Sequence, residues 1–314
     1  MNRVDDMPGY LAALFIAAVM ALTTYLTDSP LWDNPEGPVC LVGWQSLFPS
    51  RLLSALMEFV LLWLVSVAAT RVNRHYNVEE GTSALPSTIF LLASACVPSL
   101  LGGISAAMLM PLVCILSLRG LFKSYEREYT AREMFLVATL SSFGSMIQYA
   151  FIPLGAAVLG AAAILGEIRV KSLIAFIFGL ITPYLLVVGF GLVDISSISI
   201  PFIWSVAPTF HYTTVITAGI TALTALMLTM RQAVTPPNRS SRSLALNRAV
   251  NTILLAMIAM MAIDWVNFPT YIPTVGLLTG FAVASLGGDR NNSAVNVLSI
   301  ILAIIYIVLF IIAV

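Results

Sequence analysis

Apolar residues run along the chain in blocks, and short polar or proline-rich connections separate them. A membrane-crossing helix needs about 20 mostly apolar residues at about 1.5 Å rise per residue. By that ruler eleven crossings are predicted, near 10–27, 52–70, 85–102, 104–118, 134–152, 153–166, 172–192, 210–230, 249–267, 270–287 and 294–314. The connections carry the charges and prolines: SPLWDNPEGP at 29–38, RVNRHYNVEEGTS at 71–83 and RQAVTPPNRSSRSLALNR at 231–248. No connection exceeds about 25 residues, too short for a separate soluble domain. The predicted fold is all-α: one polytopic transmembrane helix bundle over residues 1–314.

Two junctions need argument. Residues 134–166 carry no charge, and only Pro153 and Gly155 interrupt them. One helix there would be about 50 Å long against a ~30 Å hydrocarbon core, so the stretch divides. Its second half, 153–166, is short, either a crossing or a re-entrant half-helix. At 267–272, NFPTYI reads as a tight outside turn.

Composition agrees with the pattern. Residues of the AVILMFWYC set make up 59% of the 314, charged residues 10%, and the mean hydropathy is +0.96. An ordinary soluble domain is about 25% charged, so a soluble enzyme, a disordered chain and a disulfide scaffold are excluded. Cys40, Cys96 and Cys114 are scattered, without a CxxC pair, so neither a disulfide framework nor a zinc site is expected. Fifteen Lys+Arg balance fifteen Asp+Glu, leaving no nucleic-acid footprint.

Placement of charge matters more than its sum. With the N-terminus inside, Arg3, Arg71, Arg74, Arg119, Lys123, Arg127, Arg132, Arg169, Lys171, Arg231, Arg239, Arg242, Arg248 and Arg290 all fall inside, and only Arg51 outside. Basic residues resist translocation and favour anionic headgroups. The predicted layout is therefore N-terminus inside and C-terminus outside, in a bacterial inner membrane. Asp5 and Asp6 offset Arg3 in the leader, so the first span reads as an uncleaved anchor despite a small-residue site at Val19-Met20-Ala21.

Within the bundle, PLGAAVLGAAAILG at 153–166 is expected to pack closely through its small residues. Thr213, Thr217, Thr221 and Thr224 form one stripe, expected at a helix interface. Pro111, Pro153, Pro183 and Pro273, the last followed by Gly276 and Gly280, interrupt spans. Transporters use such breaks to bind substrates, although kinks also occur without function.

Candidate chemistry falls in two places. Arg51, Glu58, Gln148, His211 and Asp264 gather in the outer half of the predicted bundle, with Tyr149 beside Gln148 and Tyr184 deeper. They line a shared substrate-binding cavity, or each holds a private partner near the interface. The first outside loop carries Asp28, Asp33 and Glu36 with Trp32 and Trp44, and ends at Arg51. Its acids are the candidate catalytic groups, as general base or as oxygen ligands for a divalent cation; no other cofactor and no metal cluster is indicated. Its indoles would stack on sugars and Arg51 would hold a phosphate. The plainer alternative is a solvated acidic loop with tryptophans at the interface. Inside, Arg119–Glu133 (RGLFKSYEREYTARE) reads as a short amphipathic surface helix or a connector. No nucleotide-binding motif is present, which excludes an ATP-driven motor in this chain alone.

On RVNRHYN followed by ALPSTIFLL, and on SLIAFIFGLITPYLL, the chain resembles an uncharacterised family of polytopic inner-membrane proteins of Bacteroidota. That resemblance implies a fold and no particular activity. More loosely, the layout is similar to multi-span lipid-linked-sugar glycosyltransferases, which place essential acids in the first outside loop, where Asp28, Asp33 and Glu36 stand. Three functions follow: a transferase acting on a polyprenyl-phosphate-linked glycan precursor at the outer face, a proton-coupled transporter or lipid flippase using Glu58 and Asp264, or a non-catalytic scaffold among membrane lipids.

Overall fold

The structure is a computed structural model describing residues 7–27, 50–76, 78, 84–127, 130–192, 211–234, 240–285 and 292–314. Among the described residues there is no strand, and the regular structure is helical. In chain order the helices are α1 (Met7–Leu26), α2 (Arg51–Tyr76), α3 (Leu85–Ala95), α4 (Pro98–Leu101), α5 (Ala106–Arg127) and α6 (Thr130–Ser145). They continue as α7 (Phe151–Ile164), α8 (Val170–Gly189), α9 (Tyr212–Val234), α10 (Ser241–Ile263), α11 (Phe268–Ala284) and α12 (Asn292–Ala313), with a 3-10 turn, Trp265–Asn267, before α11. Seven of them, α1, α2, α5, α8, α9, α10 and α12, are long and apolar enough to cross a membrane.

Local sequence sets the helix ends. Pro86 and Pro269 stand in the first turns of α3 and α11, where a missing amide breaks no helical bond. Ser240 caps α10, its hydroxyl accepting from the Ser243 amide at 3.3 Å. Helices α7 and α8 end on Gly166 and Gly191, at φ +73° and +67°, the left-handed conformation glycine takes without a Cβ clash.

Helix α2 runs on to Tyr76, and α11 begins at Phe268, inside the turn expected at 267–272; three further differences have a local reason. The 85–102 block is broken at Val97, which is extended at φ −107° and ψ 96° because Pro98 follows it. The division of 134–166 falls at 146–150 rather than at Pro153, which the first turn of α7 accommodates. Residues 119–127 form no separate surface helix. They continue α5, since Leu121 and Phe122 are fully buried and hold the helix against the body.

The core centres on α11, whose seventeen residues are all buried. It packs against α3, α5, α9 and α10. Helices α3 and α11 run antiparallel at close range: a Cβ at Gly276 would meet the Ala93 methyl at 2.8 Å, and one at Gly280 would meet Pro86 backbone at 2.6 Å. Small residues permit this approach. The threonine stripe packs as expected, with Thr213, Thr217 and Thr221 buried and the Thr221 hydroxyl 3.0 Å from that of Tyr306 on α12. Outside lie helices with broad apolar exposure. Only 28% of the apolar window of α8 is buried, and Phe178 and Leu185 are exposed. Such surfaces are compatible with a multi-pass membrane protein.

Hydrogen bonds between elements show which helix ends lie together. At one end the Tyr76 hydroxyl donates to the Arg119 carbonyl at 3.3 Å, Lys123 pairs with Glu133 at 2.6 Å, and the Ser124 hydroxyl donates to Glu167 at 2.6 Å. Ser243 donates to the Val78 carbonyl at 2.8 Å, and Gln232 joins Ser285. Near the opposite end the Ser54 hydroxyl takes the Ile104 amide at 2.7 Å. Arg71, Arg74, Arg119 and Lys123 therefore share one end, and Arg51 stands at the other.

Candidate functional site

Two turns meet at the end of the bundle that holds Arg51. Asp264 closes α10, and its backbone leaves the helix at φ −93° and ψ 60°. Three residues later the 3-10 turn delivers Asn267, and the first turn of α11 delivers Thr270 and Tyr271. The facing turn, 146–150 between α6 and α7, supplies Gln148 and Tyr149.

The half-buried Asp264 carboxylate accepts three hydrogen bonds here. Tyr149 and Asn267 donate to Oδ1 at 3.0 and 2.8 Å, and Tyr271 donates to Oδ2 at 3.0 Å. Gln148, fully buried, donates through Nε2 to the Thr270 hydroxyl at 3.0 Å. The amide of Asn267 must point its nitrogen at Asp264, since the reverse would set two oxygens face to face. Among the described residues, Gln148 Oε1, Asn267 Oδ1 and the Thr274 hydroxyl have no hydrogen-bond partner. A buried acceptor left unpaired costs about 1–3 kcal/mol. The unpaired amide oxygens of Gln148 and Asn267 in these two turns favour a cationic or proton-donating visitor.

Glu58 does not join this cluster. Fully buried on α2, it accepts from the Ser105 hydroxyl at 2.8 Å and from the Ser105 amide at 3.2 Å. That places it at the start of α5, where it takes up an amide that has no partner within the helix. Arg51 stands over the Tyr25 ring of α1 at 5.8 Å. His211 is exposed and bonds to Thr213, two residues on, at 2.6 Å through Nδ1. Tyr184 bonds to Ser145, holding α8 to α6 at 2.7 Å.

Of the five polar residues assigned to one half of the bundle, then, Gln148 and Asp264 lie in facing turns linked by the Gln148–Thr270 and Tyr149–Asp264 bonds, while Arg51, Glu58 and His211 have partners of their own. Asp28, Trp32, Asp33, Glu36 and Trp44 lie outside the described residues. Among the described residues no group of three or more His, Cys, Asp or Glu could hold a metal ion. Sequence reasoning missed Asn267 and Tyr271. The only local signal was their spacing of three and seven residues from Asp264, across a turn that sequence alone does not shape.

No known protein family, curated protein or solved structure matches the chain.

Proposed function

We propose that the chain is an inner-membrane protein of eleven crossings, with its N-terminus in the cytosol, acting as a proton-coupled transporter or lipid flippase. Asp264 would be the group that takes up and releases the proton. The observation carrying this reading is the convergence of Tyr149, Asn267 and Tyr271 on the Asp264 carboxylate, next to the Gln148–Thr270 bond of the same two turns, with Gln148 Oε1 and Asn267 Oδ1 lacking partners among the described residues. Asp264 closes α10 at the end of the bundle, where three donors hold its carboxylate while part of it stays exposed. Asp264 is half-buried and reachable from outside the bundle, whereas Glu58 is fully enclosed between α2 and the start of α5. Two broken segments, α3–α4 and α10–α11, also suit alternating access.

The test is reconstitution in vesicles with fluorescently labelled polyprenyl phosphate or phospholipid, with and without an imposed pH gradient. Wild-type protein should move a labelled lipid faster under the gradient. Asp264→Asn should remove the gradient's effect while the protein keeps its size-exclusion profile. Movement insensitive to the gradient, or an Asp264→Asn variant as active as wild type, overturns the reading.

A further inference from the structure

Helices α2 and α5 run parallel, tied near one end by Glu58 and Ser105 and near the other by Tyr76 and Arg119. Between them at the basic end lies a cavity of about 970 Å³. Its walls change character along the helix axes. Nearer the middle of the body they are apolar: Trp63, Leu64 and Leu116, exposed by 46%, 43% and 36%. Toward the helix ends they are cationic, with Arg71 and Arg74 from α2 and Arg119 and Lys123 from α5. Trp63, Val67, Arg71 and Arg74 follow a helical stripe, as do Leu116, Arg119 and Lys123. Because the helices are parallel, both stripes pass from apolar to basic in the same direction.

We propose that this groove binds the phosphate headgroup of an anionic membrane lipid, its acyl or prenyl chain lying along Trp63, Leu64 and Leu116. Interfacial arginines in general extend their heads to water and bind headgroups loosely. Here four cationic side chains converge from two helices on one cavity, and guanidinium groups hold phosphate oxygens two at a time. Lys123 is anchored by Glu133 at 2.6 Å, which sets its ammonium at the groove wall. The apolar half selects a lipid over a free anion, since inorganic phosphate gains nothing from an indole and two leucines. The groove lies at the end of the bundle opposite to Asp264, and lipid binding there does not depend on transport.

The experiment is a native mass-spectrometric titration of the delipidated full chain with phosphatidic acid, with phosphatidylcholine of the same acyl chains, and with inorganic phosphate. Phosphatidic acid should bind tightest. Arg71→Gln/Arg119→Gln should weaken it by roughly thirtyfold, the loss expected for two headgroup-facing cations. Arg231→Gln, an exposed charge on the last turn of α9 and away from the groove, should change it less than about twofold. Brominated phosphatidic acid should quench Trp63, identified by the signal lost in Trp63→Phe, and quenching should fall in the double variant. Equal losses in the double variant and in Arg231→Gln would reduce the effect to general surface charge and overturn the proposal. So would binding of phosphatidylcholine or inorganic phosphate as tight as that of phosphatidic acid, or Trp63 quenching unchanged in the double variant.

Discussion

Ser105 gives both its hydroxyl and its amide to Glu58, at 2.8 and 3.2 Å, so one carboxylate on α2 fastens the start of α5. Ser54, one turn earlier on α2, takes the neighbouring Ile104 amide at 2.7 Å. Two otherwise orphaned amides at a helix start are thereby satisfied from a neighbouring helix. Glu58→Ala strands a buried amide and hydroxyl and should cost about 1–3 kcal/mol of stability. Glu58→Gln keeps an acceptor for one of them and should cost less. Thermal denaturation in detergent measures both, and two variants as stable as wild type would refute the fastening role.

Gly280 permits the contact between α3 and α11. A methyl there would meet Pro86 backbone, which cannot rotate away as a side chain could, so Gly280→Ala should destabilise the protein by about 1–3 kcal/mol. Gly219→Ala on α9 is the matched control, because nothing lies within 4 Å of its added Cβ. It should be neutral or slightly stabilising, since alanine favours helix over glycine by about 1 kcal/mol. Comparable melting of the two variants would contradict the packing described.

Tyr149 and Tyr271 reach Asp264 from two separate parts of the fold. Each phenylalanine replacement removes one hydrogen bond to a carboxylate, a loss on the order of 1 kcal/mol at this half-exposed site. Because both tyrosines share one acceptor, their effects should not add, and a cycle of the two single variants with the double variant should show coupling. Additive losses, or coupling that survives in an Asp264→Ala background, would mean the three do not act as a unit.

Cysteine labelling tests the layout directly. Cys96 and Cys114 are buried, so replacing Cys40 should give a background inert to a membrane-impermeant maleimide. In that background Asn238→Cys should react only from the cytosolic side and Pro35→Cys only from the other. The reverse pattern would invert the bundle. Reaction of both positions from one side would mean an odd number of crossings separating them is wrong.

Much of the fold was legible because lipid-facing and core-facing helices are both apolar, and each of the eleven apolar blocks contains a helix. The same fact hid the interior. Nothing in the apolarity of α11 distinguishes a helix buried on all sides from one that faces lipid. The continuation of α5 to Arg127 was obscured because its last turns carry charges, although Leu121 and Phe122 turn inward among them. At the candidate site, Gln148 and Thr270 are 122 residues apart, and single-sequence periodicity carries no signal for a contact at that range. The basic residues were legible as a sided distribution, but their convergence on one groove required knowing that α2 and α5 are parallel neighbours.

Helix α11 has seventeen residues, about 25 Å of helix, and no face turned outward. Most of its surroundings are built by α3, α5, α9 and α10, earlier in the chain, and α12 adds a smaller contact. Ribosomal synthesis therefore delivers the centrepiece after these four helices and before α12. Until that moment the walls around it would have lipid where they later have protein. Chains stopped after residue 263 should accordingly be recognised by membrane proteases, and those stopped after 285 should survive longer.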